Sequence, residues 1–446
     1  MLTAASSVVV IASVVSAAVG PGAQAQVVTC QGQAATIVGP SDGQNTTGTE
    51  GDDVIVAPLG PNSTVQGLGG NDTICLVDGP GGSSRDPFVI VQAGAGNDSV
   101  VNETTQPHGI RIELGAGADH FVGADYSETV HGAWPWDPNG LDTEADVFDT
   151  RGGNDYITSG SAGVMNQDVI STGAGRDTIG YGGAGGPTLD NGPGADALAI
   201  MGPWAGGLTV DNVARRASLG DQTVVTWTAV DAFSMAADPG SHVTFVGSDA
   251  DETLTLYGSF FEVAAPAAVT TGAGDDSVRL ENYLPSRVDT GEGYDSLTYL
   301  ACDRATVWLE GSARCTTTDG REVTTIISGV DFLFARTRER LRVRGTAGPD
   351  RVSAFARHVV VRSSGGGDLV YADGRRTAKV VGGRGDDKLR SYAHRGGIVL
   401  GGRGSDVIRG GSGPDRLLGG RGKDSAWGQQ GRDRCVAEVR HSCELR

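Results

Sequence analysis

Aromatic residues make up only 6% of this 446-residue chain. Compact cores need bulky apolar side chains, so this scarcity argues against the roughly three globular domains that length alone would suggest. A sustained 3.6-residue apolar period with caps is also missing, which leaves little room for helices. There is no HExxH, and the seven histidines (His108, His120, His131, His242, His358, His394 and His441) show no partner spacing and read as surface residues. Without CxxC or HxxxH, zinc is not expected. The apolar run from Val8 to Val19 has 12 residues, too short to span a bilayer, and no Lys or Arg precedes it.

Glycine and aspartate are what the chain has. There are 71 glycines, and near the C-terminus they spell a nonapeptide: GGRGDDKLR from Gly382, then without a gap GGRGSDVIR from Gly401, GGSGPDRLL from Gly410, GGRGKDSAW from Gly419 and GQQGRDRCV from Gly428. Glycines at positions one, two and four suit a tight turn, the Asp at position six supplies a carboxylate, and position eight returns the chain to a core. Looser turns of the same kind place acids at Asp53, Asp72, Asp98, Asp119, Glu128, Asp155, Asp177, Asp196, Glu252, Asp276, Asp295, Asp350 and Asp368. Most neighbouring acids lie 18 to 27 residues apart. That predicts one glycine turn per coil of a solenoid, the far side being closed by ordinary loops except in the last four turns.

The nonapeptide resembles the RTX, or hemolysin-type, calcium-binding repeat family. The resemblance implies an all-β chain folded as a right-handed parallel β-helix or β-roll, with Ca2+ bound between successive turns by turn carbonyls and the position-six Asp. Carried onto this sequence, it implies Asp387, Asp406 and Asp424 on one edge and Asp415 and Asp433 on the other, with Gly383, Gly385, Gly402, Gly404, Gly411, Gly413, Gly420 and Gly422 shaping the turns. Asp53, Asp72, Asp98, Asp155, Asp177, Asp276 and Asp295 form a second tier. Glu128 and Glu252 follow turns lacking the second glycine and are expected to bind nothing, and Ala426 and Gln429 degrade two terminal repeats. Stacked carboxylates repel one another, and a hard cation taking six to eight oxygens would relieve that.

The two long gaps, Asp196 to Glu252 and Asp295 to Asp350, are similar to each other. GSDADETL from Gly247 parallels GTAGPDRV from Gly345, and TGAGDDSV from Thr271 parallels SSGGGDLV from Ser363. The expected organisation is a signal peptide at 1–25, a solenoid with degenerate turns at 26–195, a block at 196–294 and its duplicate at 295–381. A regular β-roll at 382–436 and a cap at 437–446 complete it. Cleavage is expected after Ala25, which places the product outside the cell, secreted or held loosely at the surface. Six cysteines fit that setting. Proximity pairs Cys302 with Cys315 and Cys435 with Cys443, leaving Cys30 for Cys75; the alternative leaves Cys435 a buried thiol.

Charge is uneven. Residues 331–446 carry 24 Lys and Arg against 13 Asp and Glu, a balance of +11 within a net charge of −19. Arg336, Arg338, Arg340, Arg342 and Arg344 alternate, so on a strand they share one face. Such residues suit solvated turns, an anionic cell-wall polymer, or self-association with the acidic part of another copy. Nucleic acid is not expected of an acidic secreted chain. The segment HGAWPWDPNGLDTEAD from His131 reads as a loop between coils; Trp134 and Trp136 suit stacking on sugars, and Asp137, Asn139 and Asp142 an extra cation site. The function read from all this is non-catalytic calcium binding. An adhesin is the alternative, and a polysaccharide-active β-helix enzyme the third choice.

Overall fold

The computed structural model describes residues 27–79, 88–107, 109–132, 143–161, 163–202, 204, 206–237, 242–263, 267–318 and 320–444. The signal-peptide expectation, His108, and Trp134, Trp136, Asp137, Asn139 and Asp142 lie outside them. Among the described residues there is no helix, and none is therefore long and apolar enough to cross a membrane. The fold is all-β, a parallel β-helix or β-roll. It divides into two units, 1–202 with 223–230, and 203–222 with 231–446.

In the first unit the chain alternates between two parallel sheets. Ile37–Val38, Val54–Leu59, Thr73–Asp78, Ser99–Asn102, His120–Val122, Val147–Asp149 and Val169–Ser171 form one. Thr64–Gly69, Phe88–Ala95, Gly109–Ala116, Glu128–His131, Tyr156–Ser159 and Thr178–Gly182 belong to the other. Because alternate strand residues face inward, the residue two after each acid lies in a buried file. Ile55, Ile74, Val100, Phe121, Phe148 and Ile170 stack in register. The opposing file is Val65, Val91, Ile112, Val130, Ile157 and Ile179. The core is filled mostly by branched aliphatic side chains, up to three to a strand as with Ile110, Ile112 and Leu114, which is why few aromatics suffice.

The second unit repeats the device. Leu254, Val278, Leu297, Leu333, Val352, Val370, Leu389 and Ile408 form one inward file. Val343, Val361, Val380, Val399, Leu417 and Cys435 form the other. The long gaps contain antiparallel excursions: Leu208–Asp211 pairs with Arg216–Leu219, and Ser296–Trp308, Gly311–Thr316 and Glu322–Ser328 form a meander.

Disulfides join Cys30 to Cys75, Cys302 to Cys315 and Cys435 to Cys443, the pairing that proximity suggested. The Cys302–Cys315 bridge closes the meander over a separation of 13 residues. Replacing both with serine is expected to cost about 3 kcal/mol through regained unfolded-chain entropy. Thermal melts of the oxidised double variant and the parent check this.

Candidate metal centre

Most of these acids are followed at once by a strand, as Asp53 is by Val54–Leu59 and Asp387 by Lys388–Ala393. The N–H of the first strand residue meets the carbonyl of the acid one coil earlier, as Thr73 N to Asp53 O at 2.8 Å and Lys388 N to Asp368 O at 2.8 Å. The N–H of the acid itself points the other way, and the carboxylate of the following coil accepts it. In the first unit this runs Asp53 N to Asp72 Oδ1 (2.8 Å), Asp72 N to Asp98 Oδ1 (2.8 Å), Asp98 N to Asp119 Oδ1 (2.7 Å), Asp119 N to Asp146 Oδ1 (2.9 Å) and Asp146 N to Asp168 Oδ1 (3.0 Å). A second file heads the opposite sheet: Glu128 N to Asp155 Oδ1, Asp155 N to Asp177 Oδ1 and Asp177 N to Asp196 Oδ1, at 2.8 to 2.9 Å.

The second unit has Glu252, Asp276, Asp295 and Asp331 in sequence, then a new run of Asp350, Asp368, Asp387, Asp406 and Asp424, the last donating to Glu438. On the opposite edge Asp415 N donates to Asp433 Oδ1 at 2.8 Å, and Asp433 N to Glu444 at 2.7 Å. The expectation that only the last four turns carry acids on both sides is therefore corrected. Between Asp119 and Asp196 both sheets are headed by acids, because Asp119 and Glu128, nine residues apart in sequence, belong to different files.

Two kinds of turn are present, distinguished by the residue four before the acid. In the first acid of each file, that residue's N–H folds onto the carboxylate. Thr49 N donates to Asp53 Oδ2 (2.8 Å), Ala124 N to Glu128 Oε1 (2.8 Å), Ser248 N to Glu252 Oε1 (2.7 Å), Thr346 N to Asp350 Oδ2 (2.9 Å) and Gly411 N to Asp415 Oδ2 (2.7 Å). In later turns the same position takes positive φ, and its N–H does not reach the carboxylate. Glycine suits it, as at Gly383 (139°), Gly402 (134°) and Gly420 (124°), but Leu68 (82°), Ser364 (85°) and Gln429 (76°) adopt it too. The turns are thus self-capped at the head of each file and open beyond it.

In open turns one carboxylate oxygen is engaged and the other is left over. Asp72, Asp387, Asp406, Asp424 and Asp433 are at most 1% exposed, and their Oδ2 atoms have no hydrogen-bond donor. Position one, five residues before the acid, decides what lies beside that oxygen. At Gly67, Gly382, Gly401, Gly419 and Gly428 a Cβ would collide with the Oδ2 of the same turn, and at Gly67, Gly382 and Gly401 also with a backbone carbonyl of the next coil. The first glycine of the motif is therefore required for space alone, whereas at positions two and four of these turns, as at Gly402 and Gly404, glycine serves both a positive φ and the close approach of a carbonyl of the preceding coil. Position one is Thr150, Thr172, Thr271 and Thr290 before Asp155, Asp177, Asp276 and Asp295, and those hydroxyls donate to carbonyls of the next coil.

Burial without a counter-charge disfavours the carboxylate form. Burial pushes Asp387 up to about 7, the charges of Asp368 and Asp406 adding to it, and Asp406 up to about 6. Asp98, Asp155, Asp295, Asp350 and Asp415 are likewise raised by burial to about 6, and Asp72 and Asp433 are raised. Asp53 goes the other way: against its burial, hydrogen bonds from Thr49 and Thr36 hold it low.

Among the described residues no group of three or more His, Cys, Asp or Glu side chains is placed to hold a metal. An ion held beside these turns would draw on backbone carbonyls and one or two carboxylates, a donor set of oxygens that suits a hard cation such as calcium. Of the sequence candidates, Asp387, Asp406, Asp424 and Asp433 combine an open turn, a donorless oxygen and a bare glycine. Asp72 does the same in the first unit. Asp53 and Asp415 have both carboxylate oxygens engaged, Asp53 with Thr36 and Thr49 and Asp415 with Gly397 and Gly411.

Sequence reasoning missed Asp146, Asp168, Asp331, Glu438 and Glu444, which join files without a GGxGxD turn. Asp-Val-Phe from Asp146 and Asp-Val-Ile from Asp168 carry the signal that was available, an acid two before an inward apolar residue. It also missed an outer file at position five, where Asp52 Oδ1 accepts Asn71 N (2.7 Å), Asn71 Oδ1 accepts Asn97 N (2.7 Å) and Asp386 Oδ1 accepts Ser405 N (2.6 Å). His131 is buried rather than at the surface, its Nδ1 2.6 Å from Thr158 Oγ1. Burial lowers it to about 4. GPSDG from Gly39 matches the GxSxG string, but exposed Ser41 lies in a turn with no helix after it, so the strand-turn-helix context of a nucleophile elbow is missing.

The family model of the RTX calcium-binding nonapeptide repeat matches residues 400–435, in four copies. No curated protein matches the chain.

Proposed function

Through residues 400–435 the chain belongs to the RTX calcium-binding nonapeptide repeat family, and from that premise we propose that it is a secreted, non-catalytic protein whose coils are held together by calcium. Asp387, Asp406, Asp424 and Asp433 would hold the ions together with turn carbonyls, and Asp72 would do so in the first unit. Bound there, calcium supplies positive charge to carboxylates that have lost their water, and its binding energy becomes folding energy. The observation that carries this reading is the donorless Oδ2 of each of these buried acids, facing a glycine that leaves room beside it. Asp53, Asp350 and Asp415 would hold none, since both of their carboxylate oxygens already accept hydrogen bonds; Glu128 and Glu252 keep a donorless Oε2 beside Gly123 and Gly247 and differ from the open turns only in that their own turn folds onto Oε1. The threonine-filled turns at Asp155, Asp177, Asp276 and Asp295 would hold none either. Three disulfides fit an oxidising, extracellular setting.

Calorimetric titration of the decalcified full chain tests the assignment. Asp406→Asn is expected to lower the calcium stoichiometry, while Asp415→Asn lowers the melting temperature and leaves stoichiometry alone. A chain that takes up no calcium at about 10⁻³ M, the weak end for extracellular modules, would refute the reading. So would an Asp406→Asn variant with undiminished stoichiometry.

A further inference from the structure

The two outward faces of the strands between 331 and 436 use their cations differently. On one, the guanidinium groups are occupied: Arg336 lies 5.5 Å over Phe355, Arg390 5.0 Å over Tyr392 and Arg409 5.1 Å over Trp427. Phe334, Phe355, Tyr371 and Tyr392 stack beside them at 4.9, 5.5 and 5.4 Å. Rings and charges on that face satisfy each other. The expectation that Arg336 shares a face with Arg342 and Arg344 is corrected, because the register shifts between Arg336 and Arg340.

The other face is formed by segments 340–344, 358–362, 377–381, 397–400, 416–418 and 434–436. Parallel register places Arg342, Val360, Lys379, Ile398, Arg416 and Arg434 in one column. Arg344 and Arg362 stand side by side in the next. The intervening residues Leu341, Val343, Val361, Val380, Val399 and Leu417 are buried, so these columns face solvent. None of the six segments contains an acid. Among the described residues, the side chains of Arg342, Arg344, Arg362, Lys379, Arg416 and Arg434 make no ion pair, hydrogen bond or ring contact, their backbones alone being paired in the sheet. The nearby pair Arg357–Glu339, 3.2 Å apart, involves neither column.

Strands of one sheet lie about 4.8 Å apart, so Arg342, Lys379 and Arg416 recur at roughly 10 Å, with aliphatic Val360 and Ile398 between them. Concentrating like charge in this way is unfavourable until an anion is laid on it. A linear anion with charges at matching intervals meets these cations without bending. We propose that this face binds a linear anionic polysaccharide carrying one carboxylate per disaccharide, laid across the strands. Guanidinium forks would take the carboxylates, and Val360, Ile398 and Leu400 would lie beneath the sugar rings. Single-stranded nucleic acid fits less well, because the aromatic platforms it needs are on the opposite face. This proposal stands apart from the calcium reading.

The test is fluorescence anisotropy of labelled hyaluronan, a polymer with one carboxylate per disaccharide, titrated with the full chain in saturating calcium. Binding is expected at low salt, weakening as salt rises. Arg342→Gln with Arg416→Gln is expected to lose about tenfold in affinity, and Arg390→Gln with Arg409→Gln less than about twofold. Lys379→Gln with Arg434→Gln gives a second reading of the same column, and equal melting temperatures show that the variants fold. Absence of binding at low salt overturns the proposal, as does equal loss from both faces. Tighter binding of duplex DNA at matched charge would assign the face to nucleic acid instead. Salt-sensitive dimers in sedimentation, abolished by the column variants while hyaluronan stays unbound, would assign it to a second copy of this chain.

Discussion

Removing calcium at about pH 7.5 is expected to abolish the amide-exchange protection of Lys388–Ala393, Gly397–Arg403, Val407–Arg409 and Arg416–Arg421, and restoring it to bring that protection back. In these coils Asp387, Asp406 and Asp424 are stacked with one oxygen apiece lacking a donor. At that pH an ion-free chain must either bury unpaired charge or unfold. Protons offer the other route. A carboxyl raised in the folded state favours folding when protonated; that contribution is complete below the unfolded value of 3.8 and is lost as pH rises through the folded value, about 6 for Asp406 and about 7 for Asp387. The chelated protein is therefore expected to melt higher at about pH 5 than at about pH 8. With calcium the order reverses, because the ion displaces those protons. Melting curves at both pH values, with and without chelator, measure this. Protection unchanged by chelation, or a chelated protein that gains stability with rising pH, would contradict it.

How much of this was legible in the sequence depends on which contact each residue makes. Asp387, Asp406 and Asp424 were legible because their acids recur at 18 to 19 residues with an inward apolar residue two positions on, so periodicity carried both file and core. The disulfides were legible through proximity. Asp146 and Asp168 were not, because their neighbours in the file lie 27 and 22 residues away across loops of irregular length, and no glycine marks them. The antiparallel excursions were hidden for the opposite reason: strands at 311–316 and 322–328 alternate like every other strand, and only pairing direction separates them from coils. Motif spelling also concealed the difference between Asp415 and Asp406. Both follow GGxGxD, yet Gly411 takes ordinary φ and caps its acid, whereas Gly402 at 134° leaves its acid open. Local sequence does not fix that choice. Asp415 heads its file, and its Oδ1 accepts Gly397 N instead of the N–H of an earlier acid.

Gly401→Ala separates the need for space from the need for a turn, and a large effect is expected from one methyl group. Gly401 has no positive φ, so alanine is conformationally acceptable there, and helix or turn propensity predicts little change. Its Cβ, however, would collide with Asp406 Oδ2 and meet the Gly419 carbonyl, neither of which can withdraw, since Asp406 Oδ1 is held by Asp387 N and Gly419 is part of the next turn. Overpacking of that kind costs about 1–3 kcal/mol, and the methyl also fills the space beside the donorless oxygen, so calcium stoichiometry is expected to fall with the melting temperature. Gly348→Ala is the control. It sits in the self-capped turn of Asp350, again without positive φ, and its Cβ would meet only Thr346 Oγ1 at 3.8 Å. It is expected to leave calcium uptake unchanged and stability within about 0.5 kcal/mol, as for surface substitutions. Extending the change to Gly382, Gly401 and Gly419 together blocks three successive open turns. Because these coils share contacts, the loss is expected to exceed the sum of the singles, leaving the 382–444 segment unprotected from amide exchange even in saturating calcium. If Gly401→Ala binds and melts like Gly348→Ala, the oxygen-lined space beside position one is not where the ion is held, and the turn conformation and close coil-to-coil approach at positions two and four remain to explain the motif.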